Sequence, residues 1–215
     1  MNVLVVGANG QIGKMVVEKL QESKQHEVRA MVRKEEQVAD FESKGITAKL
    51  ADLEGSVADI QLTMEGVDAV VFSAGSGGST GYDKTIMIDL DGAAKTIEAA
   101  EKAGVKRFIM VSSIASNHRE KWSDDMKPYM AAKHYADQML EKSDLDYTIF
   151  RPGMLKDEPG TGKIQLGKET AIESIPREDV ASTIVSALDH SNISRQAFDL
   201  ISGNTEIKEA LNQIG

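Results

Sequence analysis

Val3-Leu4-Val5-Val6-Gly7-Ala8-Asn9-Gly10-Gln11-Ile12-Gly13 begins with a short apolar run, closes it with glycine, and leads into Met15, Val16 and Leu20 at helical spacing. The run suits a buried strand and the spacing a helix packed on it. Three glycines sit where one becomes the other. Gly7 permits a sharp turn, Gly10 lets backbone approach a bound pyrophosphate, and Gly13 lets the helix pack closely on the strand. The helix N-terminus adds unpaired amides and the positive end of a dipole, which favour an anion. Placed in the first βα unit, Gly7, Asn9, Gly10, Gln11, Ile12 and Gly13 read as a dinucleotide-binding turn. The spacing carries one residue more before the second glycine than the GxGxxG form.

Outward from this unit, strands and helices alternate to the end of the chain. Strands are expected at 27–32, 46–50, 68–72, 106–111, 146–151 and 196–201. Helices are expected at 34–43, 56–64, 83–103, 128–142, from Pro176 onward, and at 206–213. In the helix at 83–103, Ile86, Leu90, Ala94 and Ile97 fall on one face and Gly104 ends it. Proline and the acids Glu178 and Asp179 suit the first turn of the helix opening at Pro176. This alternation requires right-handed crossovers. It predicts an α/β Rossmann domain over residues 1–215: a doubly wound parallel sheet of about seven strands with helices on both faces. Loops near 114–127 and 153–175 fall on the substrate side, and 156–168 reads as loop throughout.

The second strand ends on Arg33 and Lys34, where an NAD enzyme usually carries a carboxylate for the ribose 2′-hydroxyl. Two cations suit a 2′-phosphate instead, so NADP is expected in preference to NAD; as an alternative, both charges simply open the next helix.

Three further features lie in chain order. Ser112-Ser113 ends the fifth strand, at the carboxyl edge where ligands bind in such sheets. Tyr129 and Lys133 stand four apart on one helical face. Arg151-Pro152-Gly153 ends the sixth strand. A phenol with its ordinary pKa is a poor proton donor at neutral pH unless a neighbouring cation stabilises its phenolate. A lysine one turn away supplies that cation, and a serine hydroxyl can polarise a carbonyl as hydride moves. Chance alone gives about a third of one Tyr-x3-Lys match in such a chain, so the weight lies on its placement between the two strands.

Together the glycine triplet, Asp52-Leu53, Ala74-Gly75, Ser112-Ser113, Tyr129/Lys133 and Arg151-Pro152-Gly153 resemble the short-chain dehydrogenase/reductase superfamily. The likeness spans essentially the whole chain. It is nearest to the atypical NAD(P)-binding branch, epimerase/dehydratase-like and shading into NmrA-like proteins. The resemblance implies that Asp52 and Leu53 face the adenine, and that Ala74 and Gly75 line the cofactor ribose. It implies Ser113, Tyr129 and Lys133 as the catalytic set, with Tyr129 as general acid/base and Pro152 beside the nicotinamide. Sugar-nucleotide epimerases and dehydratases carry a longer C-terminal region, whereas about 64 residues come after Arg151 here.

Composition narrows the reading further. Hydrophobic residues make up 41% of 215, enough for a sizeable core. The absence of cysteine excludes disulfides, thiolate metal sites and a cysteine nucleophile. A formal charge of −9 disfavours nucleic acid. No apolar run approaches the roughly 20 residues of a membrane helix, and Met1 leads directly into the first strand, so a cytoplasmic chain is expected. The four histidines lack metal-ligand spacing and read as surface residues. Gly160-Thr161-Gly162-Lys163 falls short of a phosphate loop, since Ile164 stands where serine or threonine is required. The tract 75–81 is either a flexible loop or one that hugs cofactor phosphate, and 116–127 is either a substrate lid or a solvated loop. The functions left open are an NADP-dependent oxidoreductase acting on a small carbonyl or alcohol, a non-catalytic redox sensor, and, last, an epimerase or dehydratase.

Overall fold

Val3 to Val6 of β1 (Asn2–Val6) are all fully buried, because β1 runs through the middle of a parallel sheet covered on both faces. The computed structural model describes residues 1–78 and 80–214. Ser79, within the glycine-serine tract, and Gly215, at the end of the expected domain, lie outside the described residues. Seven strands run parallel: β1, β2 (Glu27–Val32), β3 (Thr47–Leu50), β4 (Ala69–Phe72), β5 (Arg107–Val111), β6 (Asp146–Pro152) and β10 (Gln196–Ser202). Their order is β3-β2-β1-β4-β5-β6-β10, the doubly wound arrangement with its reversal beside β1.

Two antiparallel strands, β8 (Lys163–Gly167) and β11 (Thr205–Glu206), extend the edge beyond β10, so the sheet has nine strands. A separate parallel pair joins β7 (Met154–Lys156) to β9 (Ser174–Pro176). Much of 156–168, expected as loop, is therefore strand. In Lys163-Ile164-Gln165-Leu166 the apolar side chains alternate inward, and Ile164 is fully buried. A four-residue alternation is a weak local signal, and pairing with β10 makes it a strand.

Helices α1 (Gln11–Ser23), α2 (Glu35–Ser43), α7 (Arg177–Ala187) and α8 (Ile207–Asn212) pack on one face, where Val3, Val5 and Phe150 point. On the other face α3 (Val57–Leu62), α5 (Ala93–Ala103) and α6 (Lys127–Lys142) cover Leu4, Val6 and Ile149. The termini follow local chemistry. Ser56 and Asp59 form a reciprocal capping box on α3, Gly104 ends α5 in the left-handed conformation, and Pro176 caps α7 with Glu178 and Asp179 in its first turn.

The helix expected at 83–103 is not a regular α-helix. A short turn α4 (Tyr82–Lys84) leads into a π-helical segment, Thr85–Gly92, and then α5. The buried face is offset from the expected one over its first two turns. Thr85, Ile88, Asp89 and Gly92 are buried, whereas Ile86 is 54% exposed and Leu90 and Ala94 are half-buried. Of the predicted apolar face, Ile86, Leu90 and Ala94 line an outer groove between this helix and α6, with Tyr135 and Met139, whereas Ile97 is buried in the core. π-helical insertions recur at functional sites. One histidine also departs from its expectation: His26 is buried, 3.4 Å from the Met1 amino group and 3.4 Å from Asp189. No helix among the described residues is long and apolar enough to cross a membrane.

Phe150 is fully buried and its ring centroid lies 6.5 Å from that of Phe198. Phe150→Ala is expected to cost about 3–5 kcal/mol, read in urea as a lower midpoint with an unchanged slope.

Candidate active site

The glycine turn is built from contacts that leave no space for side chains. Gly7 has φ +83°, and a Cβ on it would lie 2.6 Å from the Ala74 nitrogen. A Cβ on Gly13 would run into the carbonyl oxygen of Gly7, which already accepts the Gly10 N–H at 2.9 Å. Helix α1 then starts without a side-chain cap and without an acidic residue in its first turn. Its first amides have no intrahelical partner. A close backbone, an uncapped N-terminus and no nearby first-turn carboxylate fit a dinucleotide pyrophosphate. Of the other residues in the turn, Ile12 is buried in the core, Asn9 and Gln11 are exposed, and Gln11 Nε2 lies 3.5 Å from Asp157 Oδ1.

At the end of β2, Arg33 is exposed and its guanidinium makes no ion pair among the described residues. Lys34 is turned toward Glu36 at 3.2 Å. Arg33 is therefore the better placed of the two cations for a 2′-phosphate. Asp52 is exposed and accepts the Glu54 N–H at 2.9 Å. Leu53 is buried, and a Cβ on Gly92 would come 3.1 Å from its own Cβ. Ala74 is half-buried against Gly7, and Gly75 packs on Asp89.

Beyond β5 the two serines part. The Ser112 side chain is buried and its hydroxyl lies 3.4 Å from that of Ser116, while its N–H donates to Phe150 at 2.7 Å. Ser113 is half-buried, and its carbonyl accepts the Ser116 N–H at 3.1 Å. The interior hydrogen bonding engages Ser112, which leaves Ser113 as the better candidate for a substrate oxygen. Helix α6 carries Tyr129, half-buried, and Lys133, 5% exposed, with the ammonium 5.8 Å from the tyrosine ring centroid. The Lys133 ammonium donates to the Val111 carbonyl at 3.4 Å and pairs with Asp89 at 3.1 Å. Burial pushes its pKa down, but Tyr129, Asp89 and Asp137 outweigh that and hold it above the ordinary lysine value. Pro152 ends β6, buried, and its carbonyl accepts the Ile114 N–H at 2.9 Å.

Three buried carboxylates near this site were not singled out by the residue pattern. Asp89 is one. Asp137 accepts Arg151 Nε at 2.9 Å and Ser116 Oγ at 3.0 Å, so Arg151 serves an interior ion pair. Asp199 on β10 accepts the Thr170 N–H at 2.9 Å, and its burial raises its pKa against the pull of that bond and of Arg151. The available signal was a charge inside an apolar helical run, as in Ile86-Met87-Ile88-Asp89-Leu90.

The polar stretch 116–127 is an ordered cap with several anchors. Trp122 Nε1 donates to Ala115 at 2.9 Å, Arg119 to Tyr135 at 3.1 Å, and Tyr82 to Asp125 at 3.3 Å. Lys121 pairs with Glu169 at 2.6 Å and joins this cap to the segment after β8. The glycines at 160–162 have another role: Gly160 donates to Glu178 at 2.8 Å, and Thr161 and Gly162 to Asp179 at 2.9 and 2.8 Å. Those amides serve the first turn of α7. No metal-holding cluster occurs among the described residues.

A family profile described as NAD(P)H-binding matches residues 7–191. A Bacillus subtilis (strain 168) relative, named the uncharacterized sugar epimerase YhfK, is 54% identical over 214 residues, covering 100% of both chains. A solved Bacillus halodurans structure, named for NAD-dependent epimerases/dehydratases, is 43% identical with a TM-score of 0.93 and 99% of each chain covered. The oxidoreductase ylbE from Lactococcus lactis is 36% identical with a TM-score of 0.90, over 100% of this chain and 96% of that one.

Arg151→Met would leave Asp137 as an uncompensated buried carboxylate. Chemical denaturation at neutral pH is expected to show a loss of about 3–5 kcal/mol, recovered in part by Asp137→Asn in the same chain.

Proposed function

Because this chain belongs to the NAD(P)H-binding family, we propose that it is an NADP-dependent oxidoreductase acting on a small carbonyl or alcohol. The observation that carries this reading is the buried Lys133 ammonium, 5.8 Å from the Tyr129 ring centroid and bonded to the Val111 carbonyl at the end of β5, two positions before the half-buried Ser113. When bound, the nicotinamide supplies or accepts the hydride. Ser113 donates a hydrogen bond to the substrate oxygen and polarises the carbonyl. The Tyr129 hydroxyl gives its proton to that oxygen in reduction and takes it back in oxidation, with the Lys133 charge stabilising the phenolate in between. The Gly7–Gly13 turn and the α1 amides hold the pyrophosphate, Asp52 and Leu53 border the adenine, Ala74 and Gly75 the ribose, and Pro152 the nicotinamide. Arg33, exposed and unpaired among the described residues, favours NADP over NAD.

The name of the Bacillus subtilis relative favours a second reading, an epimerase. A tyrosine-lysine pair serves that chemistry too. Beyond Arg151 the described elements β7 to α8 complete the sheet and cover its edge. The two readings differ in stoichiometry: an oxidoreductase consumes one NADPH per product, an epimerase none net.

Fluorescence titration is expected to show tighter binding of NADPH than NADH. Arg33→Ala should weaken NADPH by tenfold or more, about 1.4 kcal/mol, and leave NADH nearly unchanged; tighter NADH binding in the parent chain would overturn the NADP assignment. Tyr129→Phe should keep NADPH affinity and lower turnover on a panel of aldehydes and ketones by roughly 10²–10⁴. Undiminished turnover would remove Tyr129 from the mechanism.

A further inference from the structure

The two oxygens of one buried carboxylate hold two separate parts of the candidate site. Asp89 lies in the π-helical segment Thr85–Gly92 and is 1% exposed. Its Oδ1 lies 3.1 Å from the Lys133 ammonium, and its Oδ2 accepts the Ser76 N–H at 3.0 Å. Ser76 directly follows Ala74-Gly75, and Gly75 packs so closely that a Cβ there would sit 3.2 Å from Asp89 Oδ1. Within that segment Asp89 belongs to the buried face. Asp89 is buried with Ile88 and Gly92, while Ile86 stays outside.

Elimination identifies the counterion of Lys133. A buried ammonium is driven toward its neutral form unless an opposite charge stands against it. Around Lys133 stand Tyr129 and Asp137 from α6, the Val111 carbonyl from β5, and Asp89 from the π segment. Asp137 is engaged by Arg151 at 2.9 Å and by Ser116 at 3.0 Å. Asp89 has no other cation within ion-pair distance among the described residues. One carboxylate is thus committed to Arg151 and the other to Lys133.

We propose that Asp89 is a positioning residue, whose carboxylate neutralises and aims Lys133 under Tyr129 and, through the Ser76 amide, ties the loop bordering the dinucleotide to the same ammonium. The proposal rests on the reading of Tyr129 and Lys133 as the proton-transfer pair. It makes cofactor-side loop order and lysine protonation parts of one device.

The test uses the full chain and needs no substrate. Carbon-13 NMR of labelled lysine Cε, with the Lys133 signal assigned through Lys133→Arg, follows its protonation with pH. In the parent chain the signal should stay protonated up to the ordinary lysine value of 10.5 or beyond. Asp89→Asn keeps the shape and removes the charge, and should lower the midpoint by about one pH unit or more, tenfold in proton affinity. An unchanged midpoint overturns the ion-pair half. For the loop half, Asp89→Ala should speed amide exchange at Ser76 by tenfold or more while leaving Val5 in the core unchanged; equal exchange at Ser76 overturns it. If Asp89→Asn is too unstable to titrate, Asp89→Asn with Lys133→Gln removes both charges and should restore thermal stability. A double variant no more stable than the single one overturns the proposal. Because turnover is not read, a failure of the oxidoreductase reading, seen as undiminished turnover in Tyr129→Phe, remains a separate result.

Discussion

A methyl group at Gly13 would collide with the carbonyl of Gly7, and one at Gly7 would press into the backbone of Ala74. These contacts between bare backbones hold β1, α1 and the end of β4 together at one point. The rest of the site is arranged around that point. Contact between α1 and β1 leaves the helix N-terminus aimed at the carboxyl edge of the sheet. Contact between Gly7 and Ala74 brings the loop after β4 to the same edge. Any side chain would separate these elements, so the anion-binding geometry and the packing of the first βα unit are one constraint.

On the face covered by α5 and α6, the structure solves an electrostatic problem. Lys133 and Arg151 are buried, as are Asp89 and Asp137. Such charges survive away from water only when each has a partner with good geometry. Lys133 has Asp89 at 3.1 Å and Arg151 has Asp137 at 2.9 Å, while Asp89 Oδ1 and Asp137 Oδ1 accept no aligned hydrogen bond. The two pairs differ in what they join. The Arg151 pair links β6 to α6 and to Ser116, at the root of the polar cap. The Lys133 pair links α6 to the π segment and the loop after β4. Between them they fix α6, and hence Tyr129, relative to β5, which Ser113 follows, and to β6, which Pro152 ends.

In the segments that follow β5 and β6, order comes from contacts between residues far apart in the chain. Lys121 reaches Glu169 across 48 positions, and β7 pairs with β9 after an excursion through β8. The loop 159–162 is shaped by the carboxylates of Glu178 and Asp179, which take up its amides. Apolar periodicity does not encode such pairings, so the strands at 154–156, 163–167, 174–176 and 205–206 went unmarked in the sequence while the central seven were legible.

Residue order alone determined the parallel doubly wound core and the glycine turn at its first crossover, and through placement and family resemblance it singled out Ser113, Tyr129 and Lys133 as candidates. The core and the turn follow from local rules: two-sided burial gives unbroken apolar runs, helices repeat at 3.6 residues, and only glycine admits backbone contact. Tertiary structure decided which side chains face inward within those elements. It placed Asp89 on the buried face of the segment 85–92 and left Ile86, Leu90 and Ala94 along an outer groove. It also paired Arg151 with Asp137 and sent Lys34 to Glu36, leaving Arg33 exposed. The physical reason is range: a strand or helix is set by neighbours a few positions away, whereas a buried charge is set by whichever opposite charge the fold brings within about 3 Å.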